Sequence, residues 1–250
     1  MPVMKKFVIS LDRTPERYAE FTRRNSHLVG VEKFKAHDGR VEDKRFYPSK
    51  FSPSLDYSPG AVGCALSHIE LWHKVAGGNE PVMIFEDDAV VHRDFEGMSS
   101  RLIARQGSEW DLVVWGWNFD CPISFELLPG VSPVLAYFLQ DGLAEKLDAF
   151  QALSLDPGVF TLKFCFGTPA YSLSPGGAEK LLKFLLPLQN FEMQTSTFTA
   201  RNRGIDVALC SAYPQTASLV CFPPLVVTPN IPALSTTRSQ VLEGQPEPTV

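Results

Sequence analysis

The sequence predicts an α/β protein with a mostly parallel central sheet flanked by helices. Short apolar runs rich in β-branched residues recur along the chain ("FVIS", "VMIF", "LVVW", "SLVC"), and stretches of helical period alternate with them. Gly and Pro clusters punctuate the joins. At 250 residues, 44% hydrophobic and 20% charged, the chain is long enough to bury one substantial core.

"KKFVISL" reads as the first strand. "DRTPERYAEFTRRN" follows as a helix, with Thr14 as N-cap and Pro15 in the first position. Glu16 suits the positive helix end, and Arg23 and Arg24 the negative one. "VEKFKA" gives a short strand and "HDGR" a turn; residues 40–59, with Pro48, Pro53 and Pro59, read as loop. In "GAVGCALSHIELWHKVAGG", Leu66, Ile69, Trp72 and Val75 repeat at three and four residues, and Gly77 and Gly78 end the helix. Its first turns carry Gly60, Ala61, Gly63, Cys64 and Ala65, small residues that admit a close neighbour.

"PVMIFE" is a buried strand, "DFEGMSSRLIARQ" a helix and "WDLVVWGW" another strand. Residues 118–140 read as irregular, "GLAEKLDAFQAL" as helix, and "FTLKFCFGTPAYSLS" as strand, break, strand. Ser174 caps a helix over "PGGAEKLLKFLLPL", with Pro175 in its first position. Residues 189–204 read as an inserted loop, and "SLVCFPPLVV" as a late strand. The tail 229–250, rich in Pro, Ser, Thr and Glu, is expected to be extended and partly disordered.

A net charge of −5 argues against a general nucleic-acid binder. The charge is uneven: residues 1–50 hold 12 basic against 7 acidic side chains, and the remainder 11 against 21. The basic excess suits an anionic ligand or weak peripheral contact with an anionic membrane, and equally a solvated surface. The five cysteines are odd in number and widely spaced, without C-x-x-C, and are expected to be free thiols in a reducing compartment. Cys64 and His68 stand at i, i+4 and could face one ion; with no further Cys/His pair, buried packing is the favoured reading. The N-terminal apolar run is short for a signal peptide, and no stretch approaches the ~18 apolar residues of a membrane span, so a soluble, cytoplasmic protein is expected.

The chemistry concentrates at "VMIFEDDAVV". Three consecutive carboxylates, Glu86, Asp87 and Asp88, close a buried strand, where α/β sheets place their ligands. Adjacent carboxylates repel, and burial is costly without a cation or hydrogen-bond donors. On a strand Glu86 and Asp88 face one way and Asp87 the other. The pair can hold a hard divalent ion, Mn²⁺ or Mg²⁺, together with substrate phosphates. The competing reading is a solvated loop start. An aspartyl phosphatase would want D-x-D-x-T, which "EDDAV" is not.

In order, "FVISLDRTPERYAEF", "KAHDGR", "GAVGCALSHIELWHKV", "VMIFEDDAVV" and "GTPAYSLSPGGAEKLL" resemble glycosyltransferase family 25, over roughly residues 5–185. The resemblance implies a GT-A-like, Rossmann-type fold and an inverting sugar transfer from a UDP-sugar, often UDP-galactose. It also implies a divalent metal and a saccharide or glycoconjugate acceptor, as in lipopolysaccharide biosynthesis. One catalytic domain would span 1–228, with a donor half over 1–117 and an acceptor side over 118–228. Glu86 and Asp88 would hold the metal, with Glu86 and Asp87 also at the donor. The first strand–helix junction, with Ser10, Asp12, Arg13 and Arg17, would lie beside the nucleotide, its guanidiniums suiting a diphosphate. Asp38 would lie near base or ribose, and Ser67 beneath the donor. Asp206, in "GIDVAL", would be the general base, with Asp120 its competitor. Trp115 and Trp117 are candidates for a sugar-stacking acceptor platform or for core. Thr168, in the break "GTPAY", is a candidate acceptor contact or part of a bulge. A non-catalytic glycan- or nucleotide-binding module is the alternative. A nucleotidyltransferase would carry a Gly-rich loop where "SLDRTPER" stands.

Overall fold

The computed structural model describes residues 4–195 and 198–230. The tail from 231 to 250 lies outside the described residues. The first half runs β1 (Lys5–Ser10), α1 (Pro15–Arg24), β2 (Val31–Lys35), α2 (Pro59–Ala76), β3 (Val82–Glu86), β4 (Val90–Val91), α3 (Phe95–Gln106) and β5 (Leu112–Gly116). It continues as β6 (Ile123–Leu128), β7 (Ser132–Ala136), α4 (Leu147–Gln151), β8 (Gly158–Phe164), β9 (Ala170–Leu173), α5 (Pro175–Leu185), β10 (Glu192–Gln194), β11 (Thr199–Arg201), α6 (Ile205–Ala212), β12 (Ser218–Phe222) and β13 (Val226–Val227).

The α/β class stands. Nine strands form one sheet in the order β2-β1-β3-β9-β5-β12-β8-β6-β7. The expectation of a mostly parallel sheet needs correcting, because the sheet is mixed. β1 pairs in parallel with β2 and β3, and β5 with β12, whereas the other five adjacent pairs are antiparallel. The cause lies in the connections. No crossover helix separates β8 from β9, so β9 continues in the direction of β8 and enters between β3 and β5 against both.

The two faces of the sheet bury separate clusters. Phe7 and Ile9 face α2, α5 and α6, alongside Leu66, Leu181 and Ala208. Val8, between them, faces α1 and α3 with Phe21, Phe95 and Leu102. This is the period-2 alternation of a strand covered on both sides. α2 is buried along most of its length because it packs against the sheet, α5 and α6. Ser58 caps it by accepting from the Ala61 N–H at 3.1 Å. The small residues of its first turns do admit a close neighbour: a Cβ on Gly63 would lie 2.5 Å from the His37 carbonyl oxygen.

Three local expectations fail. Residues 118–140 contain the β6–β7 hairpin, whose sequence lacks a clear alternation because only its base is buried. The span 189–204 contains the β10–β11 ribbon. Thr14 stands before α1 as expected, but its side chain makes no cap hydrogen bond and its hydroxyl is buried without a partner among the described residues.

The loop after β2 is pinned to α2 by His37. Its Nδ1 lies 2.8 Å from Glu42 Oε1 and its Nε2 2.5 Å from Glu70 Oε2. Burial works against a charge on the ring, but the two carboxylates outweigh it and raise its pKa above the ordinary imidazole value. The stabilisation is therefore complete below about pH 6.5 and is lost as pH rises through the folded-state value. His37→Gln should lower Tm clearly in mildly acidic buffer and little in alkaline buffer. Equal losses in thermal melts at both pH values would rule out a charged clasp.

Candidate active site

The carboxyl end of β3 opens into a cavity of about 570 Å³. Glu86 and Asp88 lie on one wall, and Asp206, at the start of α6, on another. Asp120 and Thr168 also line it. A smaller recess of about 60 Å³ adjoins it, lined by Ser10, Arg13, Arg17 and Ser67 among others. Arg17, Cys64 and Glu86 border both spaces.

The three carboxylates have different fates, with Asp87 opposed to its neighbours as expected, although β3 ends at Glu86 and Asp87 and Asp88 lie in the turn that follows. Asp87 turns away from the large cavity. Its Oδ2 accepts from Ser10 Oγ at 2.8 Å, and its Oδ1 accepts from Arg17 Nε at 2.7 Å and Nη2 at 2.5 Å. It is a paired structural charge. Glu86 accepts from Thr168 Oγ1, and His68 Nε2 stands 3.4 Å from Glu86 Oε1. Burial opposes ionisation of Glu86, but His68 and Thr168 hold its carboxyl below the usual range. Asp88 has the opposite balance. Burial, with the Glu86 charge beside it, raises its carboxyl to about 7, and Arg17 at 3.5 Å only partly offsets this. Its Oδ1 is buried with no hydrogen-bond partner among the described residues. An orphaned buried carboxylate oxygen beside a second carboxylate is the donor set a hard divalent cation takes, so the residues present fit such an ion.

Asp206 sits in the first turn of α6, where the helix dipole favours an anion. Its Oδ2 accepts from the Gly167 N–H at 2.9 Å. Burial raises its pKa against the pull of the Gly167 and Val207 N–H groups. Gly167 has φ +80°, and a Cβ there would lie 2.3 Å from Asn118 Oδ1, so only glycine fits this turn.

Several candidate residues occupy other places than foreseen. Asp12 lines neither cavity; it pairs with Lys33 at 2.8 Å and Lys35 at 3.1 Å across the β1–β2 edge. Arg13 precedes α1 rather than sharing its face with Arg17, although both line the recess. Arg13 Nε contacts Asp38 Oδ2 at 2.8 Å, and Asp38 Oδ1 also accepts from the Arg40 N–H. Ser67 is a pin: its hydroxyl donates to the Gly63 carbonyl and accepts from the His37 N–H. The tryptophan platform is wrong. Trp115 and Trp117 are fully buried, and the irregularity between Val114 and Gly116 puts them on opposite faces of the sheet. Trp115 donates to Ser172 Oγ, and Trp117 stacks on Phe222. Asp120 does reach the cavity, where its Oδ2 accepts from Asn230 Nδ2 at 2.7 Å.

The cavity also recruits residues that no motif flagged. Tyr57 directly precedes the α2 cap and donates to Asn202 Oδ1 at 2.7 Å. Arg203 precedes "GID" and pairs with Asp56 at 2.8 Å. Phe166 and Asn118 complete the wall near Gly167.

Residues 3–198 match the family described as glycosyltransferase family 25 (LPS biosynthesis protein). The chain belongs to this family. Its curated relatives include a glycosyltransferase 25 family member of Aedes aegypti, 33% identical over 130 residues, 46% of this chain and 21% of that protein. The human protein named inactive glycosyltransferase 25 family member 3 is 32% identical over 141 residues, 53% of this chain and 20% of that protein. A rat protein named probable inactive glycosyltransferase 25 family member 3 is 29% identical over 206 residues, 74% of this chain and 32% of that one. The chain thus spans less than a third of these relatives. Among solved structures, a putative UDP-N-acetylglucosamine pyrophosphorylase from Entamoeba histolytica aligns at TM-score 0.35 and 10% identity, over 86% of this chain and 57% of that one.

Neighbouring aspartates should respond in opposite directions. Asp88→Asn removes a charge that burial disfavours. Wild-type stability falls as pH rises from the ordinary carboxylate range through about 7, so the variant's Tm should exceed wild type above pH 7, and by little in acid. Asp87→Ala removes the partner shared by Ser10 and Arg17 and should cost about 3–5 kcal/mol. Thermal melts of both variants without divalent ions would test this, and a loss of Tm in both would show that Asp88 is satisfied.

Proposed function

We propose that this family 25 domain is a metal-dependent inverting glycosyltransferase. It would move a sugar, galactose first among candidates, from a UDP-sugar to a hydroxyl of a saccharide or glycoconjugate, as in lipopolysaccharide or other cell-surface glycan synthesis. The supporting observation is that Glu86 and Asp88 share one cavity with Asp206. On this reading residues 1–117 supply most of the donor side and 118–228 most of the acceptor side.

The chain's own residues divide the work. Arg17 and the recess with Ser10 and Arg13 would orient the nucleotide. Glu86 and Asp88 would hold Mn²⁺ or Mg²⁺, which when bound offsets charge on the diphosphate leaving group. Asp206 would take the acceptor hydroxyl proton while that oxygen bonds to the anomeric carbon and the bond to the diphosphate breaks. Inversion follows from attack on the face opposite the leaving group. The raised pKa of Asp206 makes it a stronger base than an ordinary carboxylate. Thr168 would fix Glu86, and Asp120 would contact the acceptor.

A second reading, a non-catalytic binding module of the same fold, is favoured by the names of the human and rat relatives, which call them inactive or probably inactive. Incubating the chain with Mn²⁺ and each common UDP- and GDP-sugar, and measuring nucleotide release, separates the two. A binding module releases nothing from any donor.

Among the described residues no helix is long and apolar enough to cross a membrane. If the acceptor is lipid-linked, the basic first 50 residues would give weak, salt-reversible binding to anionic liposomes.

Asp206→Asn should retain UDP and metal binding and lose transfer by about 10²–10⁴-fold, the usual worth of a positioned base. Slow donor hydrolysis should persist, because water needs less positioning than a sugar hydroxyl. Asp120→Asn should mainly raise the acceptor KM. If the two variants exchange these behaviours, Asp120 is the base; if both lose UDP binding, the acceptor-side assignment is wrong.

A further inference from the structure

We propose that Cys64, His68 and Glu86 form a binding site for a borderline-soft divalent ion of the Zn²⁺ class, which shares Glu86 with the hard-ion position at Glu86 and Asp88. One ligand atom from each of the three residues lies within 4.8 Å of the others. Cys64 and His68 are one turn apart on α2 and face the carboxyl end of β3. Imidazole, thiolate and carboxylate together are a Zn²⁺ or Co²⁺ ligand set rather than one for Mg²⁺.

A second observation points independently to a ligand. His68 is fully buried, yet its Nε2 has no hydrogen-bond partner among the described residues. Its other nitrogen is engaged, with Nδ1 2.8 Å from the Tyr171 hydroxyl. Trp72 Nε1 donates to that hydroxyl at 2.9 Å and fixes it in place. A histidine held through Nδ1 by an outer partner, with Nε2 aimed at a carboxylate, has the usual arrangement of a metal ligand. The separation also suits an ion. Two ligands, each about 2.0–2.1 Å from a tetrahedral ion, stand about 3.4 Å apart, and His68 Nε2 and Glu86 Oε1 are 3.4 Å apart. Cys64 is half-buried and borders both cavities, so a fourth position opens toward solvent.

Loading requires deprotonation. Cys64 gives up its thiol proton to solvent as the sulfur–metal bond forms. Binding through His68 Nε2 uses that nitrogen's lone pair, so in the loaded site the ring proton sits on Nδ1, 2.8 Å from the Tyr171 hydroxyl oxygen. Because Glu86 belongs to both positions, the softer ion excludes the harder one. The site would therefore make the chain sensitive to Zn²⁺ in competition with Mn²⁺. The binding site itself does not depend on the transferase reading, since it is detected by spectroscopy without a donor or acceptor.

The test is Co²⁺ titration of the purified chain, followed by absorbance. The expected result is a thiolate-to-cobalt charge-transfer band that saturates at one ion per chain and is displaced by Zn²⁺ but not by Mg²⁺. Cys64→Ser should abolish the band while circular dichroism is unchanged. Tyr171→Phe should weaken Co²⁺ binding about 10–100-fold, the usual effect of losing an outer partner. Should either variant fold poorly, maleimide labelling of the wild type serves instead, with Zn²⁺ expected to slow modification of the Cys64 peptide. A spectrum with oxygen ligands alone, a band that survives Cys64→Ser, or labelling indifferent to Zn²⁺ would overturn the site. A chain that binds Co²⁺ in this way yet, in a separate assay with Mn²⁺ alone, releases no nucleotide from any donor would retain the site and lose the transferase reading.

Discussion

Asp87 is the charge around which the site is arranged. It is buried at the end of β3, and Ser10 from β1 and Arg17 from α1 satisfy it from two directions. These contacts tie the first strand, the first helix and the third strand together at one point. They also sort the acidic run. With Asp87 occupied, the residues on either side of it line the large cavity. Arg17 reaches on to Asp88, at 3.5 Å, so the same guanidinium that neutralises one carboxylate moderates the next. Such a buried pair is weak evidence for net stability, because desolvation consumes much of the attraction. Its value is positional: it fixes which two of three adjacent acids are left to meet a ligand.

A second network supports Glu86 from the opposite side. Trp72, Tyr171 and His68 form a buried polar chain that ends 3.4 Å from its carboxylate, and Thr168 donates to the same oxygen from β9's approach. Thr168 and Glu86 both line the large cavity. Family membership and this arrangement are compatible with turnover, while relatives named inactive show that family membership and activity are separate matters.

What the sequence made legible was what local pattern encodes. The opposed directions of Asp87 and its two acidic neighbours match what strand alternation predicted, although β3 ends at Glu86 and a turn carries the next two residues, and the cap at Ser174 follows from short-range hydrogen bonding. Trp115 and Trp117, open between platform and core on sequence, are core because both faces of the sheet are covered, and the one-residue irregularity that sends them to opposite faces is not marked by composition. The direction of β9 was hidden for a related reason, since a strand's residues do not state its polarity. Cys64 and His68 were visible as a spaced pair. Their third partner lies on another element, eighteen residues beyond His68, and only the fold joins them.

The antiparallel seam between β3 and β9 has a consequence for the tolerance of the site to change. Phe85 lies opposite Ala170, and the Glu86 N–H donates to the Pro169 carbonyl, so the acidic strand end and the Gly167–Pro169 turn share one rung. A slip of two residues along β9 would leave every apolar side chain on its proper face. It would nonetheless carry Thr168 about 7 Å away from Glu86 and take Gly167 from Asp206. Hydrophobic burial alone is blind to that slip. The polar contacts at the rim are what distinguish the two alignments, so the residues that define the site also act as the keying of the sheet.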